Sequence, residues 1–181
     1  MKHFSLFLIL FVLGLFGCQG KSGSPTTSSP SQTSAPLKTP EEVMKTISKM
    51  SLQDKTAVSD LDALLKEAHP LKVKVAALEK LSQISSEAAT SALSRVWSQE
   101  KEDMLKQNAL RALIKQNTDA SRSVLKDVLQ SSDKSAKILT LNLIGHYGKL
   151  QCKSLTELAS EDKDPEIKTL SEKIQSKLKN K

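Results

Sequence analysis

The chain has 181 residues, of which 27 are Lys or Arg and 20 are Asp or Glu, so its formal net charge is +7. Aromatic residues make up only 3%, and the sequence carries no Gly-x-Ser-x-Gly elbow, phosphate-binding glycine loop or dinucleotide fingerprint. The common hydrolase and nucleotide-binding classes therefore lack their motifs here, and we expect the protein not to be an enzyme.

The N-terminal segment has the pattern of a secretory signal. A short basic start, Met1-Lys2-His3, precedes the apolar run 4–16, which is too short to span a bilayer as a mature helix. Leu15, Gly17 and Cys18 follow the spacing of the lipobox and resemble that motif of bacterial lipoproteins. The resemblance implies cleavage between Gly17 and Cys18, lipidation of Cys18, and export. The alternative is an ordinary signal peptide that is cut elsewhere.

A polar segment separates this signal from the rest of the chain. Residues 19–38 contain nine Ser or Thr and three Pro, with Leu37 as their only large apolar residue. Such a composition cannot offset the entropy of ordering, so we expect 18–38 to be the lipidated cysteine with a disordered tether. Gln19 stands where an Asp would resemble an inner-membrane retention signal, which favours the outer membrane. The domains predicted are thus 1–17, 18–38 and 39–181.

Residues 39–181 predict an all-α domain. Apolar residues recur at helical spacing, and Thr39-Pro40-Glu41-Glu42 has the signature of a capped helix start. Ser51 with Asp54 predicts a second start, and His69-Pro70 predicts the end of that helix. A further helix carries 73–84. The helices expected after it cover about 86–98, 101–116, 119–130, 133–147, 151–160 and 165–178. Cys152 is expected to be a buried apolar residue.

An internal period of 31 to 32 residues runs through this domain. Each period contains an apolar residue followed directly by Lys. The four pairs are Val73-Lys74, Leu105-Lys106, Ala136-Lys137 and Ile167-Lys168. Four positions after the first residue of each pair come the small residues Ala77, Ala109, Thr140 and Ser171. Eight positions after it come Leu81, Leu113, Ile144 and Gln175. Such a period is typical of stacked helix pairs.

This pattern resembles the HEAT repeat family. Asp164-Pro165-Glu166-Ile167-Lys168 is similar to the turn that leads into the second helix of that repeat, and 73–81 matches the consensus of the helix itself. The resemblance implies a right-handed α-solenoid of antiparallel helix pairs, with about four repeats over 53–179 and Gln175 in a polar cap. A compact helical bundle is the alternative fold.

The repeated lysines predict a basic binding face. If the repeats stack, one row of cations results, flanked by Lys80, Arg111 and Lys115. The candidate residues are Lys74, Lys106, Arg111, Lys137 and Lys168. The alternative is that each cation caps a helix or pairs with a carboxylate of the neighbouring repeat.

Two functions fit these features. The favoured one is a lipid-anchored scaffold that holds or assembles a partner protein at the bacterial cell envelope. The other is an envelope lipoprotein that binds an anionic lipid or polymer through the lysine row. His69 and His146 do not form a metal pair of helical spacing, so no metal or cofactor is expected. An exported chain rarely meets nucleic acid, so none is expected as a partner. The oligomeric state is not predicted.

Overall fold

The computed structural model describes residues 39–54 and 56–179. Within these ranges it contains nine α-helices, one 3-10 turn (Leu150–Cys152) and no strand, which confirms the all-α class. The helices are α1 (Pro40–Lys49), α2 (Ala57–Lys66), α3 (Leu71–Leu81), α4 (Glu87–Gln99), α5 (Asp103–Gln116), α6 (Asp119–Gln130), α7 (Lys134–Tyr147), α8 (Lys153–Ser160) and α9 (Pro165–Lys179). All nine helices of the described residues belong to one compact unit.

Local capping explains where several of these helices begin. At α1 the Thr39 hydroxyl accepts from the backbone N–H of Glu42, and the Glu42 carboxylate accepts from the backbone N–H of Thr39, 2.8 Å away. This is the predicted capping box. Ser86 and Asp133 cap α4 and α7 without a reciprocal bond: their side-chain oxygens accept from the backbone N–H groups of Ala89 and Ala136.

The start of α2 differs from the prediction. The helix begins at Ala57 and not directly after Ser51. The Asp54 carboxylate accepts hydrogen bonds from the backbone N–H and the hydroxyl of Thr56, at 2.9 and 3.0 Å. An Asp side chain that accepts a hydrogen bond from the backbone N–H two residues later favours a turn over a helix. Asp54 is therefore a turn residue that precedes the helix.

The helices form two sets that differ in their neighbours. In the first set, which we call the odd layer, α1 packs on α3, α3 on α5, α5 on α7 and α7 on α9. In the second set, the even layer, α2 contacts α4, α4 contacts α6 and α6 contacts α8. Each even helix also packs on the odd helix that follows it in the chain. The core lies between the two layers.

The repeated positions of the sequence supply much of this core. The first residue of each pair is buried, at Val73, Leu105, Ala136 and Ile167. The small residues Ala77, Ala109, Thr140 and Ser171 are also fully buried, as are Leu81, Leu113 and Ile144. Gln175 is half-buried. The small side chains allow neighbouring helices to approach closely, while the larger side chains of the other two sets fill the space between the layers.

Cys152 is buried, as the sequence predicts. It lies at the end of the 3-10 turn that precedes α8, one residue before the helix begins.

Candidate functional site

Gly17 and Cys18 lie outside the described residues, and so do the signal segment 1–17 and the polar segment 18–38. The predictions of cleavage, lipidation and a tether therefore stay predictions.

Lys137 is held by the turn between α8 and α9. Its ammonium lies 2.7 Å from the Asp162 carboxylate, and both side chains are about 15% exposed. The Lys137 hydrogen bond, followed by one from the backbone N–H of Asp164, lowers the pKa of Asp162. Lys137 thus joins α7 to the turn of the following helix pair, which is the structural alternative foreseen for this position.

Lys106 and Lys74 have different surroundings from Lys137. The Lys106 ammonium lies 4.9 Å from the centre of the Trp97 ring on α4, a cation–π contact. Lys74 lies close enough to Glu100 for its charge to act there. The pKa of Glu100 is lowered chiefly by the backbone hydrogen bond from Lys101, and the charge of Lys74 adds to this effect. Both lysines are half-buried.

Lys168 is the most exposed of the four repeated lysines, and it makes no ion pair with any described residue. The four lysines therefore occupy equivalent positions in the sequence without forming an equally accessible row. Lys137 forms an ion pair, Lys106 lies over an indole ring, Lys74 is half-buried, and Lys168 faces solvent.

Arg111 belongs to a separate cluster on the odd layer. Its Nη2 lies 3.4 Å from Oε2 of Glu79 on α3, while Nζ of Lys115 lies 2.5 Å from Oε1 of the same carboxylate. The Tyr147 ring of α7 lies 5.8 Å from the guanidinium carbon of Arg111 and 5.8 Å from the Lys115 ammonium. We call Glu79, Arg111, Lys115 and Tyr147 the odd-layer cluster.

The sequence predicts only part of this cluster. Arg111 and Lys115 are found from their charge, whereas Glu79 and Tyr147 are not. Glu79 and Arg111 are separated by 32 residues, which is one period, so they occupy equivalent positions in neighbouring repeats. A search for opposite charges one period apart would have found this pair.

The even layer carries shallow grooves lined mainly by small side chains. One groove of 490 Å³ lies between α2 and α4, and another of 490 Å³ lies between α4 and α6. Ser91 and Arg95 contribute to both. Arg95 is bound by Asp62, which also binds Lys66. Burial opposes ionisation of Asp62, but the hydrogen bonds from Lys66 and Arg95 prevail and lower its pKa.

Residues 39–54 and 56–179 contain no group of three or more His, Cys, Asp or Glu side chains that could hold a metal ion. The same part of the chain contains no helix that is long and apolar enough to cross a bilayer.

Comparison of the sequence with known proteins returned no matching family model and no matching curated protein.

Proposed function

We propose that the chain is an exported lipoprotein, tethered through Cys18, whose helical domain holds or assembles a partner protein at the bacterial cell envelope. The observation that carries the proposal is the packing of the helices in two layers. Within a layer, each helix contacts the helix two places further along the chain. Such layers expose a long surface to one partner, in the way that stacked helix pairs bind other macromolecules. The role of the domain is binding, not catalysis.

For the fold, we propose a right-handed α-solenoid of HEAT-like repeats. Three observations support it over a compact bundle. The odd helices contact one another in chain order, the repeated positions are buried, and Lys137 joins one repeat to the turn of the next. In a compact bundle, contacts between helices distant in the chain would be equally frequent.

The location follows from the N-terminal sequence. The lipobox-like Leu15, Gly17 and Cys18 support lipid anchoring, and Gln19 supports the outer membrane. A lipid chain alone gives marginal and reversible binding, so durable anchoring requires the several acyl chains that bacterial lipoproteins carry.

The second candidate function is the binding of an anionic lipid or polymer through the repeated lysines. The net charge of +7 and the exposure of Lys168 favour it. The ion pair of Lys137 with Asp162 opposes it, because a cation that is already paired and 14% exposed offers little charge to a ligand.

A pull-down from detergent-solubilised envelopes separates the two functions. The tagged full-length chain should recover one protein in stoichiometric amount. Recovery of lipid or glycan alone, lost in a variant with Lys74→Ala, Lys106→Ala and Lys168→Ala, would favour the second function. Because Lys126 is exposed on the even layer, Lys126→Ala is the control for loss of a cation elsewhere.

A further inference from the structure

The odd-layer cluster contains more positive than negative charge. Two cations, Arg111 and Lys115, share the single carboxylate of Glu79. Lys115 lies close to it, whereas the distance from Arg111 Nη2 is 3.4 Å. A charge-assisted hydrogen bond between these groups is usually about 2.7 to 2.9 Å long. Glu79 therefore neutralises Lys115 well and Arg111 poorly.

The Nε of Arg111 also lacks a hydrogen-bond partner. Neighbouring atoms cover this nitrogen, so water does not replace the missing partner. A buried donor without a partner costs free energy, and the cost is larger for a charged group. A guanidinium binds a carboxylate best through two parallel N–H groups. A second carboxylate could pair with the Nη groups of Arg111, and it could reach the Nε only if the side chain moved to expose that atom.

Two further cations lie on α9 of the odd layer. Helix α9 packs closely on α7 at Gly145, where a Cβ would lie 3.3 Å from Ile174. Lys173 and Lys177 flank Ile174 on α9 and are exposed. They follow Arg111 and Lys115 by two periods. Glu172 is the only carboxylate in the second half of α9. Helix α7 lies between them and has Asn142 and His146 at the equivalent positions, so the additional positive charge lies on α9 and does not run along the whole layer.

We propose that Arg111, Lys115 and Tyr147 bind a carboxylate side chain of an acidic segment of the partner protein, and that Glu79 occupies these cations until the partner displaces it. The proposal rests on the scaffold function and names the chemistry of the partner. Tyr147 is 43% exposed and offers an apolar ring edge beside the cations. The cluster therefore suits a peptide that carries both acidic and apolar side chains.

A peptide fits this cluster better than a membrane surface. The side chains of Arg111, Lys115 and Glu79 are only 28 to 38% exposed, and the Tyr147 ring lies beside both cations. A flexible acidic segment can reach such partly covered side chains. A flat layer of lipid headgroups would instead contact protruding cations such as Lys168.

The test measures binding of fluorescently labelled hexaglutamate to the full-length chain in neutral detergent at low ionic strength. Arg111→Gln and Lys115→Gln should each weaken binding about tenfold, as expected for loss of one charge-assisted hydrogen bond. Glu79→Gln should strengthen binding by about threefold, because the competing carboxylate is removed. The opposite signs of these changes are the signature of displacement.

Matched controls separate a site from a general charge effect. Lys126→Gln on the even layer removes one cation, and Glu161→Gln in the exposed turn after α8 removes one carboxylate. Both should leave affinity within about twofold of wild type. Equal effects of Lys115→Gln and Lys126→Gln, or of Glu79→Gln and Glu161→Gln, would overturn the proposal. Binding of phosphatidylglycerol vesicles, and not of the peptide, through Arg111 and Lys115 would overturn it as well.

Two precautions keep the outcome decisive. Circular dichroism melts verify that each variant is folded, and if Arg111→Gln is not, Lys115→Gln and Glu79→Gln carry the test. The pull-down from envelopes is an independent readout of the scaffold function. Recovery of a protein partner that is unchanged by Arg111→Gln and Lys115→Gln would reject the cluster and leave the scaffold function standing.

Discussion

Asn117 ends α5 in the left-handed region of the backbone, with φ of 51° and ψ of 36°. Its carbonyl and side-chain oxygens accept hydrogen bonds from Arg122, at 2.8 and 3.1 Å. Asn tolerates this conformation better than other residues with a Cβ, apart from Asp. We expect Asn117→Ala to lower the free energy of unfolding by about 1 to 2 kcal/mol.

Asn117→Gly is the matched control, because it loses the same side-chain hydrogen bond but keeps the freedom to adopt a positive φ. Urea unfolding of both variants gives the comparison. Ala should destabilise more than Gly, and the reverse order would show that the conformation of Asn117 is not limiting.

Asp162 makes the stability of the fold depend on pH. Its pKa is lowered by the hydrogen bond from Lys137, so the folded chain binds a proton there less readily than the unfolded chain. The stabilisation is present above the unfolded pKa of about 3.9, and it is lost as pH falls through the lower folded pKa. We expect the melting temperature of wild type to fall below about pH 4 more steeply than that of Asp162→Asn. Parallel curves would contradict this assignment.

Single residues could be predicted from the sequence when their role is local. The Thr39 cap and the buried Cys152 depend on neighbours within a few positions and were found. The contact of Lys106 with Trp97 and the pairing of Glu79 with two cations were not. These contacts depend on the register of one helix against another, which composition and spacing do not determine.

Helix α5 allows a comparison of a core residue with a residue of the repeated lysine set. Leu113 is fully buried, so Leu113→Ala should lower the free energy of unfolding by about 2 to 5 kcal/mol. Lys106→Ala removes a half-buried cation over Trp97 and should cost about 1 kcal/mol or less. Chemical denaturation of the two variants measures both. A cost for Lys106→Ala as large as that for Leu113→Ala would mean that Lys106 is a core element of the fold.

Helix positions followed the sequence closely where end signals were strong. Helix α6 covers 119–130 as predicted. The break between α2 and α3 contains His69-Pro70, although α2 already ends at Lys66, before the predicted end. Predictions were less accurate where a side chain stabilises a turn, as Asp54 does before α2, or where a 3-10 turn precedes the helix, as 150–152 does before α8. In both places the local hydrogen bonds compete with a helix start that the apolar spacing alone would place earlier.

In the described residues, helices contact one another mainly in the order in which they occur in the chain. If the layers are a solenoid, stability is roughly a sum of repeat terms and interface terms. Hydrogen exchange should then be graded along the chain, fastest in α1 and α9 and slowest in the central helices α4 to α6. A compact bundle would protect the nine described helices to a similar degree. Exchange measured by mass spectrometry on the full-length chain separates these two outcomes.

The period of the sequence made the helix pairs foreseeable, because equivalent positions in each repeat meet equivalent surroundings. Pairing with a carboxylate of the neighbouring repeat was foreseen as an alternative for all four lysines, but not that Lys137 would form such a pair while Lys106 lies over Trp97. Trp97 and Asp162 each occur in only one repeat, and each changes the surroundings of one lysine alone. Departures from the period therefore decide which repeated residues are available for binding.

The central claim is that Cys18 anchors the chain to a membrane while 39–181 folds independently of that anchor. Fractionation of cells that express wild type or Cys18→Ala, with metabolic labelling by a fatty acid, tests it most directly. Wild type should take up label and remain with the membranes. Cys18→Ala should be unlabelled and soluble, with an unchanged melting transition. A Cys18→Ala chain that stays in the membrane fraction, together with an unlabelled wild type, would contradict the account.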